Sequence, residues 1–449
     1  MKWIAVMREL RTFLTLAGGQ IMSAFGTGLT NFSLGIWVLE RTGSVTQYAI
    51  LLLIATIPGI IVAPFTGALV DRMDRRHAML IGEIGSTIYS LSLAFLYLTD
   101  LLSLGAIAAA VAINSVFVSL KSPAYSASIT LIVPKEHLGR ASGIGQFGLG
   151  VANILAPLAA GVLLMMIKLP GIIVIDFVTY LISIGALLVV RIPKLESKTT
   201  VQKKPSVWRE VSYGFEYIKT RAGLLGLLIY FAYVHIFVAM SNVLMAPMML
   251  KFASVATIGT IVSFTGIGLM TGSLIMSAWG GPRSRIRGIF GFAVLQAISF
   301  ILTGLRPNAV LISAGLFFEC LSLPIIHGCN RVIWQTKTNP EVQGRVFALS
   351  SMSLQLVAPI GYLLAGPLAD KIFEPMLAAG GRLSGTVGLI IGTGPGRGMG
   401  LMLILMGIMI LGAIAVAFFN PRIRNLEEEL PDSKPVVVVG NTIAQAAKT

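Results

Sequence analysis

Near its middle the chain reads RIPKLESKTTVQKKPSVWREVSYGFEYIKTR, residues 191–221, the longest polar stretch between apolar runs. Six apolar runs precede it, at 13–39, 47–70, 78–99, 103–122, 143–167 and 171–191. Six follow, at 223–249, 255–280, 288–305, 309–334, 346–371 and 398–419. A bilayer core about 30 Å thick takes about 20 helical residues per crossing, so each run is long enough to span it. The polar stretch therefore divides an all-α integral membrane protein into six crossings plus six. Within it Val207, Trp208, Val211, Phe215 and Ile218 recur at helical spacing beside Arg209, Glu210 and Lys219, the pattern of a short amphipathic surface helix. A solvated linker is the other reading.

Composition agrees. Of 449 residues 55% are hydrophobic and only 12% charged, about half the charge a soluble chain uses to cover its surface. Two cysteines, Cys320 and Cys329, exclude a disulfide scaffold and a cysteine-rich metal site. The net charge of +15 lies in short loops between apolar runs, which favours an anionic membrane surface over nucleic acid as partner. Starting the N-terminus in the cytoplasm leaves only Arg41, Lys168, Lys251, Arg306, Lys371, Arg382 and Arg397 outside, of 34 basic residues in all. The positive-inside rule thus predicts a multi-pass protein of the cell membrane with both termini cytoplasmic. On this count Lys121 belongs to a cytoplasmic loop. The expected organisation is a first bundle over 1–191, a basic linker over 192–221, a second bundle over 222–420 and a cytoplasmic tail over 421–449.

The halves echo one another at a constant offset: Gly67 and Leu69 recur as Gly272 and Leu274, Glu136, Gly139 and Arg140 as Glu341, Gly344 and Arg345, and Gly161 as Gly366. A duplicated six-span unit places a substrate between its halves near the midplane, which is the geometry of a transporter.

The loop after the second run, Gly67-Ala-Leu-Val-Asp71-Arg72-Met-Asp74-Arg75-Arg76, resembles the signature G-x-L-a-D-R-x-G-R-[KR] of the major facilitator superfamily, with Asp74 in place of the usual glycine. Asp74, the loop from Trp279 to Arg285, Gly-Pro-Leu-Ala-Asp370 and Gly-Thr-Gly-Pro-Gly-Arg397 are similar to the macrolide-efflux and enterobactin-exporter branch. The resemblance implies twelve transmembrane helices in two six-helix bundles, alternating access, and a cytoplasmic gate at Gly67, Asp71, Arg72, Arg75 and Arg76 facing the eleventh span. Physically, Asp71 can accept hydrogen bonds from a helix start while Arg75 or Arg76 neutralises it. The competing reading is that the loop only enforces orientation. Met276 stands at the equivalent place in the second half, so such a latch is asymmetric. Ala156, Pro157 and Gly161 in the fifth span resemble a softened antiporter motif, a hinge if functional and small-residue packing if not.

Ionisable groups in hydrocarbon are expensive and so are candidates for coupling to protons. Glu319, near the middle of the tenth span, is the foremost, although a neutral acid donating one hydrogen bond is equally open. His235 in the seventh span carries an imidazole, a group whose ordinary titration lies close to physiological pH, but a satisfied interhelical histidine is the leading alternative. Glu83 and Asp176, closer to their span ends, are secondary. Gln20, Asn31, Phe32, Asn114, Asn242 and Gln355 lie on spans that line the cavity in this fold and are candidate substrate contacts or, individually, helix glue. Met240, Met245, Met248 and Met249 suit an adaptable cavity for bulky amphipathic solutes, or simply fill lipid-facing surface. No nucleotide-binding loop, metal-ligand cluster or nucleophilic triad is present, so neither an enzyme nor a cofactor is expected. With the resemblance, these residues imply a monomeric, proton-coupled exporter of amphipathic small molecules, macrolide-like drugs or siderophores; uptake or uniport of a small solute in the same fold is the first alternative, and a membrane-embedded enzyme or lipid-moving protein the second.

Overall fold

A computed structural model describes residues 11–133, 138–190, 192, 215–338 and 342–431. Eleven long helices carry the fold: α1 Arg11–Thr42, α2 Val45–Arg72, α3 Arg75–Leu98, α4 Leu104–Ile132, α5 Leu138–Val189, α6 Ala222–Leu250, α7 Val255–Trp279, α8 Arg285–Leu305, α9 Ala309–Lys337, α10 Gln343–Leu368 and α11 Arg397–Phe419. No strand occurs among the described residues. Helix α5 is two crossings, broken at Lys168, whose φ of 57° leaves the helical region just before Pro170. Ten segments are long and apolar enough to cross a membrane, and one of them, Phe147–Val189, has 43 residues, enough for two passes. Helix α1 is diluted by polar residues but spans 32 residues, and with it the described residues supply twelve crossings.

Short polar residues start these helices, because the first turn has N–H groups without helical partners. Ser44, Ser103, Ser254 and Ser284 cap α2, α4, α7 and α8, and Asn308 caps α9. Asp74 caps α3, accepting from Arg76 N at 2.9 Å. A carboxylate at a helix start is favourable in its own right, which explains an aspartate where the superfamily signature has glycine.

In the first half α1 packs along both parts of α5, and α4 packs on α2 and α3. In the second, α9 packs on α7 and α8, α11 on α8, and α10 on α6. The halves meet along two seams, α5 with α7 and α2 with α10. Each seam turns on a missing side chain. A Cβ on Gly161 would lie 2.9 Å from the Val255 carbonyl, and one on Gly366 would lie 2.5 Å from Thr46 Cα. The repeated glycines thus serve equivalent crossings between the halves.

The beginning of the expected tail is tied to the second bundle. Glu427 accepts from Ser284 Oγ (2.8 Å), Arg285 N (2.9 Å) and Ile286 N (3.1 Å) at the start of α8. The amphipathic stretch expected in the linker lies outside the described residues up to position 214, as do Glu136 and Glu341 of the repeat.

Candidate functional site

A cavity of about 610 Å³ lies among α1, α2, α4 and α10. Its polar lining includes Thr27, Asn31, Thr56, Thr66, Asn114, Ser115, Ser119, Ser122 and Gln355. Of the six substrate candidates it gathers Asn31, Asn114 and Gln355. Asn114 is 7% exposed, and its Oδ1 is buried without a hydrogen-bond partner. Phe32 is half-buried against the cores of both halves and Asn242 is exposed on α6; neither lines this cavity. Gln20 also lies elsewhere, its Nε2 donating to Glu83 Oε1 and Ser183 Oγ, both at 2.9 Å.

That bond leads into a polar seam inside the first bundle. Glu83 is fully buried and accepts from Gln20, from Ser183 Oγ at 2.9 Å and from Ser23 Oγ at 3.2 Å. Lys121 Nζ stands 3.1 Å from Glu83 Oε1, 3.1 Å from Ser23 Oγ and 5.3 Å from the Tyr180 ring centre. Lys121 is therefore not a loop residue. Helix α4 continues through Pro123 to Ile132, about three turns beyond it, and its stem passes the notch left by Gly82, where a Cβ would collide with Lys121 Cγ. Asp176, also fully buried, accepts at Oδ2 from Ser90 (2.7 Å) and Thr30 (3.0 Å), while its Oδ1 has no partner. Of the two secondary acid candidates, Glu83 is thus paired with a cation that hydropathy alone could not place, and Asp176 is held by hydroxyls. A signal was available: Gln20, Ser23, Thr27, Thr30 and Ser33 recur every three or four residues along one face of α1.

In the second half, Glu319 is 8% exposed within α9, with no hydrogen bond or ion pair among the described residues. His235 on α6 is half-buried; His327 on α9 is exposed, with its ring 6.1 Å from Phe231. Among the signature residues, Arg76 donates through Nε to Leu187 O (2.8 Å) and through Nη2 to Leu188 O (2.5 Å), capping the end of α5. The surroundings of Gly67, Asp71 and Arg72 lie outside the described side chains. Within the candidate hinge, Ala156 abuts Gly28 of α1, whereas Pro157 and Gly161 face α7.

At the end of the molecule that the charge count assigns outside, Asp370 joins the halves. It follows α10 on a π-helical turn, Ala369–Phe373, and accepts from Ser44 Oγ (2.9 Å), Val45 N (3.2 Å), Thr46 N (2.9 Å) and Thr46 Oγ1 (2.7 Å) at the start of α2. One turn later Glu374 accepts from Gly396 N and Met399 N, capping α11. Arg397, counted as an outer-loop residue, is 3% exposed and donates to Gly304 O and Leu305 O. The Gly-Thr-Gly-Pro-Gly run before it is a tight turn in which Gly392, Gly394 and Gly396 all have positive φ, a conformation that favours glycine.

A family profile described as Major Facilitator Superfamily matches residues 16–362. The chain belongs to this superfamily. As a major facilitator it is a membrane transporter of a small-molecule substrate, not an enzyme. Macrolide efflux protein A of Streptococcus pyogenes is 28% identical over 374 residues, covering 80% of this chain and 90% of that protein. The Enterococcus faecalis protein of the same name is 29% identical, covering 69% and 97%. Two solved structures share the fold at 14% identity. One is a bacterial homologue of the human lysosomal transporter Spinster, captured inward-facing and unoccupied (TM-score 0.68; 94% of this chain and 98% of that one). The other is a mutant of the nucleoside transporter NupG (TM-score 0.69; 90% and 99%).

Proposed function

We propose that this major facilitator exports amphipathic small molecules, macrolide-like drugs or siderophores, across the cell membrane by alternating access driven by inward proton flow. One observation carries the reading: a polar cavity walled by Asn31 and Asn114 of one half and Gln355 of the other lies between halves clasped at their far end by Asp370. Its volume of about 610 Å³ falls within the range of about 300–1,000 Å³ usual for ligand sites. Relatives named macrolide efflux proteins support the substrate class.

In this reading both termini are cytoplasmic, the bundles 1–191 and 222–420 rock about the linker 192–221, and the basic loops rest on anionic lipid. The monomer is the working unit. Asp71 and its arginines close the cytoplasmic end when Asp370 releases the outer one, with Pro157 and Gly161 accommodating the change at the α5 and α7 seam.

Everted membrane vesicles test it. Energised vesicles containing the protein should accumulate erythromycin or enterobactin above the level of vesicles without it, and collapsing the pH gradient should release the excess. Equilibration that ignores the gradient would establish uniport in place of export.

A further inference from the structure

The seam in the first bundle extends beyond Glu83. Helix α1 contributes Gln20, Ser23, Thr27, Thr30 and Ser33; α3 contributes Glu83, Ser86 and Ser90; α5 contributes Asp176, Tyr180 and Ser183. They form successive levels. Ser33 lines a cavity of about 270 Å³ together with Glu40 and Lys168, at the end assigned outside. One turn inward Thr30 and Ser90 bind Asp176. Next, Thr27 Oγ1 and Tyr180 Oη share a hydrogen bond of 2.8 Å, and beyond it Ser183 and Gln20 donate to Glu83, which pairs with Lys121. Thr27 also lines the substrate cavity.

Two features separate this arrangement from ordinary helix glue. First, it holds two buried acids and one buried cation. Lys121 is engaged by Glu83, so Asp176 has no ion-pair partner, and its Oδ1, together with Ser33 Oγ, Ser86 Oγ and Tyr89 Oη, is buried without a hydrogen-bond partner. A bare carboxylate oxygen in a buried site is costly, and a proton on it removes the cost. Second, the space is made by glycines: a Cβ on Gly26 would lie 2.8 Å from Asp176 Oδ1, just as Gly82 admits Lys121.

We propose that this seam carries the coupling proton, taking it from the outer cavity onto Asp176 and passing it to Glu83, whose protonation releases Lys121 toward the substrate cavity. The proposal rests on the proton-driven reading above and gives the proton its site. Hydronium in the outer cavity gives its proton to Asp176 Oδ1, forming an O–H bond and leaving water. The Thr27 and Tyr180 hydroxyls, bonded to each other, and Ser183, bonded to Glu83, lie between the two acids; their rotation closes the gaps, each hydroxyl accepting one proton and donating another, so that the proton reaches the Glu83 carboxylate. Neutral Glu83 no longer holds the ammonium. Lys121 shares α4 with Asn114, Ser115, Ser119 and Ser122 of the cavity wall, so its release is felt where substrate binds. Loss of the proton from Glu83 to water on the cytoplasmic side restores the pair. The titratable groups facing the seam among the described residues are Glu83 and Tyr89 on α3, Lys121 on α4, and Asp176 and Tyr180 on α5.

The test uses full-length protein in liposomes with radiolabelled erythromycin. Glu83→Gln and Asp176→Asn should each lose at least tenfold in uptake driven by an imposed pH gradient while retaining gradient-free counterflow, and Glu83→Asp should recover part of the driven rate. Undiminished driven uptake in either neutral variant overturns the proposal. A second measurement needs no variant. A hydrophobic carbodiimide, which couples to protonated carboxyls in apolar surroundings, should modify Glu83 and Asp176 of the wild-type protein, with less modification as pH rises. Modification confined to Glu319, or absent from the first bundle, overturns the proposal. If wild-type liposomes carry no erythromycin, the substrate reading fails, and the carbodiimide map still decides the proton site.

Discussion

Lys121 and Glu83 form an ion pair whose members are 13% and 0% exposed, so its strength depends on both partners being present. Removing one partner of such a pair leaves a buried charge uncompensated, at a cost of about 3–5 kcal/mol. Lys121→Met should therefore unfold well below the wild type in thermal melts in detergent. Glu83→Gln combined with Lys121→Met should recover much of the loss, because no bare charge then remains. A double variant as unstable as Lys121→Met alone would assign the effect to packing of the lysine stem against Gly82 instead. Charge counting placed this residue in a loop because the apolar run ends at position 122. Hydropathy cannot see that α4 runs on through Pro123, since helix continuation depends on packing against α2 and α3. Glu319 shows the opposite limit. Depth in a span was legible; that no described residue gives it a cation or hydroxyl partner was not.

At the scale of helices, α2 and α10 carry the same pattern at their ends, Gly67-x-Leu-x-Asp71 and Gly366-x-Leu-x-Asp370. The echo is readable in the chain, but its sense comes from packing. Gly366 lets α10 touch α2, and Asp370 then receives the first N–H groups of α2 together with two hydroxyls. Hydrogen bonds to a charged group are worth about 1.5–3 kcal/mol each, and the helix start adds a favourable field. Asp370→Ala should therefore shift the protein toward outer opening. With Cys320 and Cys329 replaced by serine and a reporter at Val45→Cys, labelling from outside by an impermeant maleimide should speed up about tenfold or more. An unchanged labelling rate would reduce Asp370 to a static cap. The seams make a companion prediction: Gly161→Val and Gly366→Val each drive a side chain into the opposite half. Both should reach the membrane in normal amount yet transport poorly; normal transport would show that the close approach is dispensable.

For the molecule as a whole, twelve crossings, the six-plus-six division and the repeat were legible because each follows from hydropathy, loop charge and spacing, which act locally along the chain. The division of labour between the halves was not. The hydroxyl-rich faces of α1, α3 and α5 meet only when the first bundle closes, and the cavity takes most of its wall from that bundle and Gln355 from the other. Helix α4 borders both regions, with Asn114 on the cavity and Lys121 in the seam. If substrate and proton occupy separate sites linked through this helix, they should separate under substitution. Asn114→Ala removes a polar side chain from the cavity wall, and one hydrogen bond is worth about 0.5–1.5 kcal/mol, or up to about tenfold in affinity. It should raise the half-saturating erythromycin concentration by up to about tenfold while leaving the carbodiimide modification of Glu83 and its pH dependence unchanged. Glu83→Gln should instead lose the response to the gradient and make erythromycin affinity in counterflow independent of pH. Were Asn114→Ala to alter the modification of Glu83 as strongly as it alters affinity, the two sites would be one, and competition for a shared site would replace relay through α4 as the coupling mechanism.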